Sequence, residues 1–140
     1  MWRRSPTFRQ QCRRISEAEN LRIEVVFVPQ LPLTPLRALS TVKKHESGTI
    51  VVKMKLRAPG NYVEVIAHEF EHVLEQLEGL NLQAIAAQKE SNVYRNEVGA
   101  YETARAVEAG LRVPDEYRRG DDREARAQTQ HSVESSQGCD

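Results

Sequence analysis

The stretch "VIAHEFEHVLEQLEG", Val65–Gly79, sets His68 and His72 four residues apart, with Glu69 directly after the first. Its apolar residues recur at helical spacing. At about 100° per residue, Val63, Ile66, Ala67, Phe70, Val73, Leu74 and Leu77 share one broad stripe, which is the expected core face. The two histidines lie one turn apart, roughly opposite that stripe, and point toward solvent or a cleft. Glu69 lies beside His72. The helix has punctuation at both ends. Pro59 and Gly60 break what precedes it, Asn61 can cap it, and Glu64 stands three residues on, as in a capping box. Gly79 is placed to end it in the left-handed conformation.

Two imidazoles at i and i+4 can share one tetrahedral zinc. A glutamate after the first histidine is then no ligand but reaches a water and takes its proton. The ordinary alternative is a solvated helix face carrying two histidines. The position of the pair, mid-helix on one face, favours the metal. A catalytic zinc needs a third protein ligand and one open position. No third histidine follows at short spacing: His45 falls in an expected turn and His131 in an expected tail. A carboxylate from or just before the next expected helix, "SNVYRNEVGAYETARAVEAGLRV", is therefore sought among Glu90, Glu97, Glu102 and Glu108. Glu102 has Val98, Gly99, Ala106, Ala109 and Gly110 around it at helical spacing, small residues that let two helices approach. Glu97 makes a rival pattern with Ala100 and Ala104. The ordinary reading of either is a surface glutamate paired with Arg95 or Arg105, worth a few tenths of a kcal/mol.

Outward from this helix, the rest of the chain frames one domain. "RRSPTFRQQCRRISEAEN" opens on a helix, with Ser5 as cap and Pro6 at its first position. Its arginines read as a solvated face, because no aromatic residues are interleaved with them. "LRIEVVFV" is β-branched and reads as a buried strand. "LRALSTVKKHESGTIVVKMKLR" reads as a hairpin turning near His45–Gly48. In its second strand Val52, Met54 and Leu56 alternate with Lys53, Lys55 and Arg57. From Asp115 the sequence is polar and nearly free of aliphatics. A frayed helix end and a disordered tail are expected, which divides the chain into a domain at 1–114 and a tail at 115–140. With 140 residues there is room for one core. Lys plus Arg equals Asp plus Glu at 20 each, so net charge points to no nucleic-acid partner. No run approaches a membrane span or a signal sequence, which reads as cytoplasmic. Cys12 and Cys139 stand near opposite ends, and no disulfide is expected.

The block "AHEFEHVLEQ" resembles the zincins, the HExxH metallopeptidases, and within them the glutamate-zincin branch. More narrowly, the chain resembles a group of small bacterial zincin-like proteins. The residues that carry this are "RSPTFR" (Arg4 to Arg9), "IEVVFV", "VVKMKLR", "AHEFEHVLE" and "YETARAVEAG" (Tyr101 to Gly110), spread over Arg4 to Val113. The zincin resemblance implies zinc on His68 and His72 and a general base at Glu69. The narrower one implies Glu102, the acid of "YET", as third ligand, ahead of Glu97. Members of the group often carry a leader, which leaves export open. The basic strand around Ile50–Arg57 resembles the zincin edge strand that aligns a peptide by β-addition.

The expectation is an α+β, zincin-like single domain with a small sheet, an HExxH helix and a supporting helix. Its expected activity is hydrolysis of a peptide or protein substrate with one Zn2+. The oxyanion would be stabilised by one of Tyr62, Tyr94 and Tyr101. Two other readings stand beside it. One is a non-catalytic metal- or partner-binding scaffold, since the chain is short for a peptidase. The other is a regulatory protease that cleaves one repressor, which would normally bring a helix-turn-helix that is not visible here.

Overall fold

The computed structural model describes residue 1 and residues 3–32, 36–96 and 99–136, with side chains as far as Arg123. It is an α+β domain. Helix α1 (Pro6–Ser16) leads into strands β1 (Leu21–Val28), β2 (Ala38–Lys44) and β3 (Ile50–Arg57). Then come α2 (Tyr62–Leu77), the short α3 (Leu82–Ala86), the strand pair β4 (Val93–Arg95) and β5 (Tyr101–Thr103), and α4 (Ala104–Ser136).

The first sheet has the order β1-β3-β2, with β1 parallel and β2 antiparallel to β3. The basic strand is therefore central, and the edges are β1 and β2. This corrects the expectation drawn from Ile50–Arg57. The reason lies in its alternation: Val52, Met54 and Leu56 are almost completely buried under the helices, and only a middle strand is covered so fully. Val52 and Met54 pack with Val73 of α2, flanked by Ile15, Ile23, Phe70 and Leu77. Each such side chain contributes about 1.5–3 kcal/mol on burial.

Helix α1 begins as its sequence reads. Ser5 Oγ accepts from the Phe8 N–H at 3.0 Å, and Pro6 occupies the first turn. Phe8 stacks on Phe70, which fixes α1 against α2. Helix α2 starts after Asn61 without a side-chain cap. Glu64 closes no capping box, because Arg37 takes its carboxylate at 2.8 and 3.2 Å. Gly79 has φ +72° and ends the helix as expected.

Two expectations fail beyond α2. The segment 91–103 is a hairpin and not the start of a helix, so the supporting helix begins at Ala104. Val93, Tyr94 and Tyr101 are strand formers, and Gly99 adopts φ +81° in the turn between them. The segment after Pro114 also departs from the expected frayed end. Helix α4 continues to Ser136, and Glu116 accepts from Ser5 Oγ, Thr7 N–H and Thr7 Oγ1 at 2.6–3.0 Å. Arg4 lies over the Tyr117 ring and pairs with Asp121. Polar anchoring, invisible to a count of aliphatics, docks this turn of α4 on α1. Cys12 carries a free thiol, and Cys139 lies outside the described residues. Among the described residues no helix is long and apolar enough to cross a membrane.

Candidate metal centre

Helix α2 is covered on two sides. Besides the stripe facing the sheet, Glu71 and Glu75 are buried. The face that carries the histidines turns toward α4 and β5, so of the two expected surroundings, solvent or a cleft, it is the partly covered one that is found. Small residues allow this approach. Ala106 is fully buried, and a Cβ placed on Gly110 would stand 3.4 Å from His68 Cβ and 3.5 Å from the Glu64 carbonyl.

Glu102 reaches the histidines from β5. Its strand is held to β4 in the register Val93↔Thr103, Tyr94↔Glu102 and Arg95↔Tyr101. Glu102 Oε2 lies 3.1 Å from His68 Nε2 and 3.7 Å from His72 Nε2, and the two ring nitrogens are 3.2 Å apart. These are the only three acid, histidine or cysteine side chains among the described residues that converge in this way. Ligands ~2.0–2.1 Å from a tetrahedral zinc stand ~3.3 Å from one another. The observed separations of 3.1, 3.2 and 3.7 Å bracket that edge length. Glu102 Oε1 accepts from Asn96 Nδ2 at 3.2 Å, while Oε2 is buried and faces the two imidazole rings. A buried carboxylate needs a positive partner, and a cation between these three atoms would supply one. The donor set of two imidazoles and a carboxylate suits zinc.

A second layer orients the first. His72 Nδ1 is 2.8 Å from Glu75 Oε2, which leaves Nε2 to face His68 and Glu102. Glu75 is fully buried, and its other oxygen accepts from Thr103 Oγ1 at 2.5 Å. Thr103 Oγ1 in turn accepts from the Ala106 N–H, which satisfies one free donor in the first turn of α4. One hydroxyl thus ties the start of α4 and the strand bearing Glu102 to the helix bearing His72. Neither Glu75 nor Thr103 was sought in the sequence reading. The available signal was an acid at i+3 from His72, the spacing that sets a carboxylate beside a ring.

The electrostatics follow from this convergence. Burial alone lowers the His72 pKa, but hydrogen bonds to Glu102 and Glu75 outweigh it and raise it to about 9. The bonds from His68 and His72 hold the Glu102 carboxyl well below the usual carboxylate range. Without a metal, a proton on His72 supplies the positive charge that the two carboxylates demand.

The remaining candidates fall as follows. Glu69 accepts from Ser40 Oγ of β2 at 2.5 Å, and its charge acts on His72. Glu108 pairs with Arg112 on an exposed face, and Glu90 is exposed in a loop. Glu97 lies outside the described residues. Tyr62 meets Phe27 edge-on and Arg95 stacks over Tyr101. Tyr94 stands directly across from Glu102, and cross-strand partners share a face, so it is the tyrosine on the side of the histidines. No family model, curated protein or solved structure matches this chain.

Proposed function

We propose that the chain is a zinc-dependent peptidase, with His68, His72 and Glu102 as metal ligands. The observation that carries this reading is the convergence of two imidazole nitrogens and a buried carboxylate oxygen. Zinc held by these residues would supply a Lewis acid and lower the pKa of a water toward ~7. The remaining work belongs to the side chains. Glu69 accepts the proton of the attacking water and returns it to the leaving amine. Ser40 orients Glu69 through its hydroxyl. Glu75 fixes the His72 ring and its tautomer. We assign the role of oxyanion donor to Tyr94, which shares the strand-pair face of Glu102.

The test is metal content after purification without chelators, followed by turnover on a broad peptide library. About one zinc per chain is expected, with hydrolysis that Glu69→Gln abolishes. A folded chain that stays metal-free in the presence of zinc overturns the reading. A second reading, a non-catalytic metal-binding scaffold, is favoured by the hydrogen bond that engages Glu69 with Ser40. Stoichiometric zinc with no turnover of any peptide would select it.

A further inference from the structure

The cations of this chain are unevenly paired. On the helices Arg14, Arg105, Arg112 and Arg119 each meet a carboxylate. On the sheet Lys43, Lys44, Lys53 and Lys55 are all exposed, and none has an ion pair among the described residues. The acids nearby are Glu24, which pairs with Arg22, Glu46 in the turn, and Glu69, which Ser40 engages. A chain of zero net charge therefore presents a locally basic sheet.

The edge of that sheet nearest Glu69 is β2, and its backbone polarity can be read from the register. The Arg57 N–H donates to the Arg37 carbonyl at one end, and the His45 N–H to the Thr49 carbonyl at the other. Pairing alternates between these points, so odd-numbered residues of β2 bond to β3. Ser40, Val42 and Lys44 then direct their N–H and C=O groups outward from the open edge. Their side chains lie on the helix face of the sheet. Ser40 and Val42 stand opposite the core residues Met54 and Val52, and Ser40 reaches Glu69. An open edge with free donors and acceptors is a template for an extended peptide.

We propose that the β2 edge takes an extended acidic segment of a protein substrate, and that Lys44 reads a carboxylate on it. This rests on the peptidase reading and names the substrate class of the same site. An antiparallel peptide runs with its N-terminal end toward Lys44. The residue opposite Lys44 precedes the one opposite Ser40 by four, ~13 Å along the strand. Val42, 39% exposed, lies between them and favours an aliphatic partner. The segment selected is acid, any residue, aliphatic, any residue, then the residue beside Glu69. Lys43, on the other face, adds to the attraction together with Lys53 and Lys55.

The zinc-loaded protein is assayed on a fluorogenic peptide library scanned with Asp and Lys at each position. Binding of a labelled peptide of Asp, Ala and Val, and of its Lys-for-Asp counterpart, is measured on Glu69→Gln by anisotropy. An acid at one position on the N-terminal side should raise kcat/KM roughly 5-fold, the scale of one exposed charge pair. Lys44→Glu should transfer that preference to lysine, and Lys89→Glu, on an exposed loop outside the three-stranded sheet, should leave it unchanged. Turnover with no Asp-over-Lys preference, or one that Lys44→Glu leaves intact, overturns the inference while the peptidase reading stands. Charge-selective binding through Lys44 with no turnover supports the docking edge and removes the peptidase. Absence of both binding and turnover overturns the two together.

Discussion

Replacing Glu75 by Gln tests the layer behind the proposed metal ligands without altering their number. The carboxylate is fully buried between His72 Nδ1 at 2.8 Å and Thr103 Oγ1 at 2.5 Å. Glutamine keeps the shape and can still accept from one of the two donors. Its NH2 group must then face the other donor, so one bond is lost and the negative charge with it. Loss of such an outer partner lowers metal affinity by roughly 10–100-fold, or about 1.4–2.8 kcal/mol. The unpaired buried donor costs a further ~1–3 kcal/mol of fold stability. For a chain of this size that is a fall in Tm of roughly 3–10 °C in the metal-free state. Zinc affinity is measured by competition with a chromophoric chelator, and stability by circular dichroism on the apo protein. Thr103→Val leaves the His72–Glu75 bond in place and should weaken zinc far less. A Glu75→Gln variant that binds zinc within twofold of the parent would refute the assignment of Glu75 as the orienting partner of His72.

Further outcomes are expected. Glu69→Gln should keep zinc and fold, read by metal analysis and circular dichroism, while peptide hydrolysis disappears. Because the apo His72 pKa is about 9, zinc displaces a proton at neutral pH, and affinity should rise ~10-fold per pH unit up to that value, measured by pH-dependent competition. The same shift raises the folded pKa above the unfolded ~6.5. Its contribution to apo stability should be complete below that value and lost as pH climbs through about 9. Glu116→Ala removes the acceptor of three hydrogen bonds to Ser5 and Thr7 and should cost ~1–3 kcal/mol in urea unfolding. Truncation before Glu116 should cost at least as much.

The parts of this molecule that were legible in the sequence are those governed by local periodicity. The helix bearing "HEFEH", the β2–β3 hairpin and the Ser5–Pro6 start of α1 follow from spacing, turn residues and caps. Small neighbours at helical spacing and the acid of the "YET" block both point to Glu102, yet it stands on a strand. The residues that bring α4 close, Ala106 and Gly110, follow it in the chain and do line the approach. The hairpin at 91–103 was missed because two three-residue strands are too short to show alternation. Glu75 was passed over because a buried acid is legible only through its partners, and Thr103 lies 28 residues away. The polar anchoring of α4 on α1 through Glu116 was missed for the same reason.

The strand pair β4–β5 has a further consequence. Two strands of three residues hold together poorly in water on their own. Glu102 stands in that pair, and thirty residues separate it from His72 (102 − 72). A metal shared between them closes a ring of chain, as a disulfide would, but can be withdrawn. The loop-entropy relation for a cross-link of that span gives about 3.6 kcal/mol. If the proposed metal is bound, the order of α3, β4 and β5 would depend on its supply. Chelation should open this arc to hydrogen exchange and proteolytic nicking while α1, the three-stranded sheet and α2 remain protected.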